Sequence, residues 1–211
     1  MTTLWDISAP IHPGSPVFPG DTPYAQRWSA TLAPDCPVNV ASLTLSAHLG
    51  THADAPLHYD PEGQSAGQLD LAPFLGRCRV IHALDRGPLG TLVTLDHLAH
   101  ALADLPPRVL VRCYARMPVD RWDPALPALH PDTVHALADR GVRLIGIDSA
   151  SIDPADSATL DSHQAIRQRG LRVLENLVLD AVPEGDYELI ALPLKLMTAD
   201  ASPVRAVLRA L

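Results

Sequence analysis

Along the first third of the chain, apolar and polar positions alternate in twos. Leu4 to Ser8 follows this rule and predicts a strand, and Tyr24 to Leu32 and Val38 to Ala47 predict two more. The last two are antiparallel neighbours, because only Ala33 to Pro37 joins them. In the second of these, Ala41, Leu43, Leu45, Ala47 and Leu49 alternate with Ser42, Thr44, Ser46 and His48, the period of a half-buried strand. Between the first and second strands, Pro10, Pro13, Gly14, Pro16, Pro19, Gly20 and Pro23 exclude regular structure and imply a long, stiff loop.

Further on the period changes. Arg77 to Leu84 predicts a strand. Thr94 caps a helix through Asp104, with Leu95, Leu98, Ala99 and Leu102 at helical spacing, and Pro106-Pro107 ends it. Arg108 to Tyr114 is a strand, and Pro131 to Arg140 a helix closed by Gly141. Val142 to Ile147 is a nearly continuous apolar run, as in a strand covered on both faces. Asp153-Pro154 reads as a helix cap and first helical residue. A helix through Arg169 ends at Gly170, Leu171 to Leu174 follows as a strand, and Tyr187 to Leu196 and Pro203 to Leu208 add two more. Strands alternating with helices after an all-strand start predict a single α/β domain, residues 1–211, with a mixed β-sheet. Neither a dinucleotide-binding Gly-x-Gly-x-x-Gly nor a phosphate-binding Gly-x-x-x-x-Gly-Lys occurs.

Composition narrows the function classes. Charged residues make up 19% of the 211 and the net charge is −8, so there is no basic field to attract nucleic acid or anionic lipid. A small-molecule ligand fits better. The start, Met-Thr-Thr-Leu-Trp-Asp, has no basic stretch followed by an apolar run, and no segment has the apolar length of a membrane span, which predicts a cytoplasmic protein. Cys36, Cys78 and Cys113 are odd in number and far apart, giving neither a disulfide framework nor a Cys-x-x-Cys site, and are expected to be buried thiols.

The chemistry concentrates between Ala47 and Asp60, where His48, His52, Asp54 and His58 occupy even positions. A helix would put His48 and His52 on one face, but Gly50 and Thr51 weaken it and Pro56 removes one of its hydrogen bonds. An extended chain would separate His48 and His58 by about 33 Å, whereas ligands of one metal lie about 2 Å from it. The chain must therefore bend, and Gly50 and Pro56 are where it can. Imidazole and carboxylate suit zinc or a similar divalent ion, and Asp54 has two oxygens with which to bridge two ions. Glu175, flanked by Val173-Leu174 and Leu177, costs free energy unless it is paired, hydrogen-bonded or metal-bound. With His163 it is the best candidate to complete the site. His82 reads as a strand side chain, and His97 and His100 as solvent-facing, no acidic partner being evident. Phe18, on its proline-rich loop, either lines a pocket for an aromatic substrate or plugs its own loop.

The run His48-Leu49-Gly50-Thr51-His52-Ala53-Asp54-Ala55-Pro56-Leu57-His58 resembles the His-x-Gly-Thr-His-x-Asp-x-Pro-x-His signature of the metal-dependent cyclase-like hydrolases, with every fixed position filled. Within them the chain is similar to the bacterial kynurenine formamidases (arylformamidases) nearly end to end. The likeness runs through Trp5 to Ile11, Pro16 to Pro23, Ile147-Asp148-Ser149, Glu175-Asn176-Leu177 and Leu192 to Leu196. The resemblance implies a swivelling β/β/α subunit, usually a homodimer, with two divalent ions, most often zinc. It implies that His48, His52 and Asp54 hold the first ion and His163 the second, with Asp54 and Glu175 shared, and that His58 is the proton donor and acceptor. The implied reaction is hydrolysis of N-formyl-L-kynurenine to L-kynurenine and formate. Phe18 would contact the substrate ring, where family members often carry tryptophan; phenylalanine keeps the stacking and lacks the indole N–H. The competing expectations are a related amide or cyclic-amide hydrolase, such as an isatin hydrolase-like enzyme, and a metal-binding module without catalysis.

Overall fold

The apolar run before Asp148 lies in the middle of a sheet. In a computed structural model, which describes residues 3–85 and 92–211, it forms β7 (Leu144–Ile147), buried at all four positions. Parallel neighbours flank it, β6 (Arg108–Arg112) on one side and β8 (Arg172–Glu175) on the other, and β5 (Leu75–His82) pairs in parallel with β6. Antiparallel strands extend both edges. Beyond β5 come β9 (Gly185–Ile190), β11 (Val207–Ala210) and β1 (Leu4–Asp6), and beyond β8 come β4 (His52–Asp54) and β10 (Ala201–Pro203). Together these nine strands make one mixed sheet, and β2 (Ala25–Ala30) pairs with β3 (Val40–Thr44) as a separate two-stranded ribbon.

Alternation along the central strands builds a core on each face. On one side Val109, Val111, Ile145, Ile147 and Val173 pack with Val134 and Leu137 of α2 (Pro131–Asp139) and Ile166 of α3 (Asp161–Arg169). On the other side Leu110, Leu144 and Leu174 pack with Phe74, Leu177 and Leu189. Gly146 is required by this packing: a Cβ there would come within 2.5 Å of Leu110 Cδ2 and 2.7 Å of Leu177 Cδ1.

Several expectations change in three dimensions. The alternation across Val38–Ala47 does give a strand antiparallel to its predecessor, but every residue of β3 is exposed, because nothing among the described residues covers the ribbon. The helix after Thr94 is short: α1 (Leu95–Leu98) passes into a 3-10 turn over Ala99–Ala101, and Asp104 turns left-handed at φ 49°. His97 is not solvent-directed but closes a capping box, its Nδ1 accepting from Thr94 N at 2.9 Å. His100 does have an acidic partner, with Nε2 2.9 Å from Glu184 Oε2. The strand over Tyr187–Leu196 stops at Ile190, before Pro193 would remove a ladder donor, and the last apolar stretch divides into β10 and β11. Cys78 and Cys113 are buried, and burial pushes the Cys78 thiol up to about 12; Cys36 is only partly covered. No helix among the described residues is long and apolar enough to cross a membrane.

Candidate metal centre and active site

Two bends and one strand pairing gather the histidine motif. Gly50 takes φ +68°, where a side chain would also come 2.9 Å from Ile11 Cγ1. The chain then enters β4, which pairs antiparallel with β8 in a register that sets His52 opposite Glu175. Pro56 opens a 3-10 turn, Pro56–His58, that folds the chain back and brings the His58 ring to 4.2 Å from the His48 ring, centroid to centroid. The last contributor, His163, sits in the first turn of α3. Asp153 holds that turn: Oδ1 accepts from Ser162 N at 2.8 Å and Oδ2 from His163 N at 2.9 Å. The expectation that Asp153 caps a helix starting at Pro154 is therefore corrected, since no helix begins there and the carboxylate caps α3 across the intervening loop.

The donor atoms converge. His48 Nδ1 lies 3.0 Å from Asp54 Oδ1. His52 Nε2 lies 3.3 Å from both Asp54 Oδ1 and Glu175 Oε2. His163 Nε2 lies 3.2 Å from Asp54 Oδ2 and 3.6 Å from Glu175 Oε1. Each ring anchors its other nitrogen outward. His48 Nε2 donates to Asp200 Oδ2 at 2.9 Å, His52 Nδ1 to the Gly50 carbonyl at 2.9 Å, and His163 Nδ1 to Asp153 Oδ2 at 2.7 Å. These outer acceptors orient the rings so that the nitrogen facing the carboxylates is the one that gives up its proton when a cation enters, which is how metal-ligating histidines are held.

His52, Asp54, His163 and Glu175 are all at most 3% exposed. Two carboxylates so deeply buried demand compensation by positive charge. Burial works against a charged His52, yet Asp54 and Glu175 outweigh it and push its pKa up to about 10. Burial likewise opposes a charged His163, and Asp153 and Asp54 overcome it, again to about 10. Burial pushes Asp54 upward, but the facing imidazoles of His163, His48 and His52 prevail and hold it well below the usual carboxylate range. His52 Nε2 and Asp54 Oδ1 are buried without a hydrogen-bond partner, although each faces ligand-type atoms. Nitrogen and oxygen donors that attract positive charge and crowd together, two of them buried with no hydrogen bond, fit a divalent cation between them. Donor atoms of His48, His52 and Asp54 lie within 4.8 Å of one another, as do those of Asp54, His58 and His163. Glu175 adds its contacts to His52 and His163, and its Oε1 accepts from Ile152 N at 2.7 Å.

The family profile described as "Putative cyclase" matches residues 5–154, which include the motif that builds this cluster. The chain belongs to this cyclase family. Among its relatives, the kynurenine formamidase of Paracidovorax citrulli (strain AAC00-1) is 71% identical, with 99% of each chain covered. That of Bordetella pertussis (strain Tohama I / ATCC BAA-589 / NCTC 13251) is 62% identical over the full length of both. A solved structure described as a potential metal-dependent hydrolase with cyclase activity superposes with a TM-score of 0.83 at 27% identity, covering 100% of this chain and 99% of the other. An isatin hydrolase bound to the product analogue thioisatinate shares the fold, with a TM-score of 0.85 at 22% identity, covering 99% of this chain and 92% of the other.

In this member of the cyclase family the cluster opens onto a cavity of about 480 Å³, within the range of small-molecule sites. His48, His58, His163 and Glu175 contribute to its wall, and Phe18, Trp122, Met117 and Leu126 give it an aromatic and apolar side. Phe18 thus lines the cavity, with its ring edge-to-face on Trp122 at 5.0 Å and 70°. The segment after β7 also reaches the wall, through Ala150 and Ser151, in keeping with ligand binding at strand ends. Three contributors escaped sequence reasoning: Asp153, Asp200 and Trp122. Asp200 Oδ2 touches both His48 Nε2 and, at 3.3 Å, His58 Nδ1. Its place beside the cluster follows from β10 pairing with β4, where Ala201 faces Asp54.

Proposed function

We propose that the chain is a metal-dependent hydrolase that cleaves the formamide bond of N-formyl-L-kynurenine, giving L-kynurenine and formate, with two divalent ions, zinc in the working enzyme. One observation carries the reading: three imidazoles and two carboxylates, four of the five buried, share a cluster that opens onto an aromatic-walled cavity. The kinship with kynurenine formamidases supports the choice of substrate. In this reading His48, His52 and Asp54 would hold the first ion and His163 the second, with Asp54 and Glu175 contributing to both. Such ions acidify a water and polarise the formyl oxygen.

The chain's own residues do the rest. Phe18 and Trp122 receive the substrate's aromatic ring, so that the small formyl group enters the crowded end between His48, His58 and His163. His58 Nδ1 donates to Asp200, which leaves Nε2 to take a proton from the attacking water and pass it to the aniline nitrogen as the C–N bond breaks. The His58 side chain is 31% exposed, more open than His52 or His163, as a group that exchanges protons with substrate must be. The same reading takes the working form to be a cytoplasmic homodimer; the exposed apolar side chains Trp28, Val40 and Leu43 on the β2–β3 ribbon support self-association.

The test is a substrate panel with metal-loaded protein, N-formyl-L-kynurenine beside isatin, followed by absorbance. Kynurenine release far exceeding isatin opening is the expected result, and the reverse order makes the protein a cyclic-amide hydrolase. His58→Ala with full metal content should lose turnover by about a hundredfold or more; retained turnover removes His58 from the chemistry.

A further inference from the structure

We propose that Arg121 and Asp123, on either side of Trp122, form the subsite that grips the amino-acid end of the substrate, Arg121 binding the α-carboxylate and Asp123 the α-ammonium. This rests on the formamidase reading above and adds the part of the wall that recognises the end remote from the formyl group.

The cavity divides by chemistry. His48, His58, His163 and Glu175 surround the reacting end, and Phe18 and Trp122 supply the ring-binding wall. A zwitterionic tail then needs one cation and one anion. Among the described residues, Arg121 is the one lysine or arginine that lines the cavity. Its guanidinium is not committed to holding the fold: the side chain is 76% exposed, and its ion-pair partner is the adjacent Asp120 at 3.8 Å. In a chain of net charge −8, whose cavity also carries Asp21, Asp123 and Glu175, a substrate carboxylate has no other Arg or Lys in the wall to meet.

Asp123 is a pre-set anion. Its Oδ2 accepts from the Tyr114 hydroxyl at 2.7 Å and its Oδ1 from Ala125 N at 3.0 Å. Each carboxylate oxygen keeps a further lone pair for an ammonium. Asp21 accepts two hydrogen bonds as well, from the Ser46 hydroxyl at 2.5 Å and Thr22 N at 2.6 Å, and it is the position of Asp123 two residues from Arg121 that selects Asp123 over it. The α-ammonium and α-carboxylate share one carbon, so their partners must be close together. Residues two apart, with Cα atoms at most about 7 Å from each other, meet that requirement. A guanidinium fork also matches a carboxylate in two parallel hydrogen bonds, which an ammonium cannot supply.

The experiment compares kcat/KM for N-formyl-L-kynurenine with that for formanilide, which has the same scissile bond and no tail, in metal-loaded wild type and in R121Q, R121K and D123N. The readout is the preference for the tailed substrate. It should fall about tenfold or more in R121Q and D123N, as expected for losing a charged hydrogen bond, and less in R121K. A preference within about twofold of wild type in R121Q, or equal losses on both substrates, overturns the subsite while leaving the formamidase reading intact. Wild-type protein that leaves formylkynurenine uncleaved overturns the reading and the subsite together.

Discussion

Asp200 Oδ2 lies 3.3 Å from His58 Nδ1, tying the histidine proposed to move the proton to a carboxylate far along the chain. The same oxygen is 2.9 Å from His48 Nε2, so one acceptor orients both neighbouring imidazoles. Asp200→Asn replaces that acceptor with a group that competes poorly for two imidazole N–H donors. Metal affinity should drop about tenfold to a hundredfold, the usual effect of losing an outer carboxylate. In fully loaded protein kcat should remain about tenfold or more below wild type, with KM for formylkynurenine little changed. Competition with a chelating dye and steady-state kinetics check the two parts. Unaltered kcat at full occupancy would show that Asp200 leaves His58 alone.

Asp153 has two tasks, capping α3 and holding His163. Its oxygens receive Ser162 N, His163 N and His163 Nδ1, all in buried surroundings. Asp153→Ala removes the cap on Ser162 N and His163 N, worth about 0.5–2 kcal/mol, and strands one further buried donor, His163 Nδ1, at about 1–3 kcal/mol. Urea unfolding of the ion-free protein should register a loss of about 2–4 kcal/mol, and the second ion should bind more weakly than the first. Equal weakening of both ions would mean that Asp153 acts through the fold and not through His163.

The parts of this site that share a short stretch of chain were readable in the sequence. Gly50 and Pro56 announced bends because only certain backbone conformations suit them, and the bends bring His48, His52, Asp54 and His58 together. Glu175 was readable because a lone carboxylate in an apolar strand needs a partner, and the β4–β8 register supplies His52. Asp153 looked like an ordinary cap because the local motif Asp-Pro is one; what it caps lies across a loop. Asp200 and Trp122 carried no signal, since their contacts join segments that only the sheet order and the loop packing bring together. The ribbon shows the converse: alternation in β3 specified extended backbone but not burial, which depends on what covers it.

Ion uptake should expel protons. In the ion-free protein His52 and His163 hold theirs to about 10, against an ordinary value of 6.5, because neighbouring carboxylates overcome the cost of burial. Folded pKa values above the unfolded one mean that this stabilisation is complete below about 6.5 and is lost as pH rises through about 10. Asp54 acts oppositely: its carboxyl is held low, and that stabilisation is lost only in acid. Ion-free protein should therefore lose stability from pH 7 to 10, and loaded protein should not, since its imidazoles are already deprotonated. Titrating zinc at pH 8 in buffers of differing ionisation enthalpy should reveal release of about two protons per chain. Uptake without proton release would mean that the ion binds elsewhere.

The most direct measurement is kynurenine formation from N-formyl-L-kynurenine by one preparation assayed as isolated, after exhaustive chelation, and after stoichiometric zinc is returned. A cluster built from His48, His52, Asp54, His163 and Glu175 to hold the ions that drive hydrolysis predicts turnover that vanishes on chelation and returns as about two zinc ions per chain are restored. Turnover undiminished in protein shown to be metal-free would contradict it.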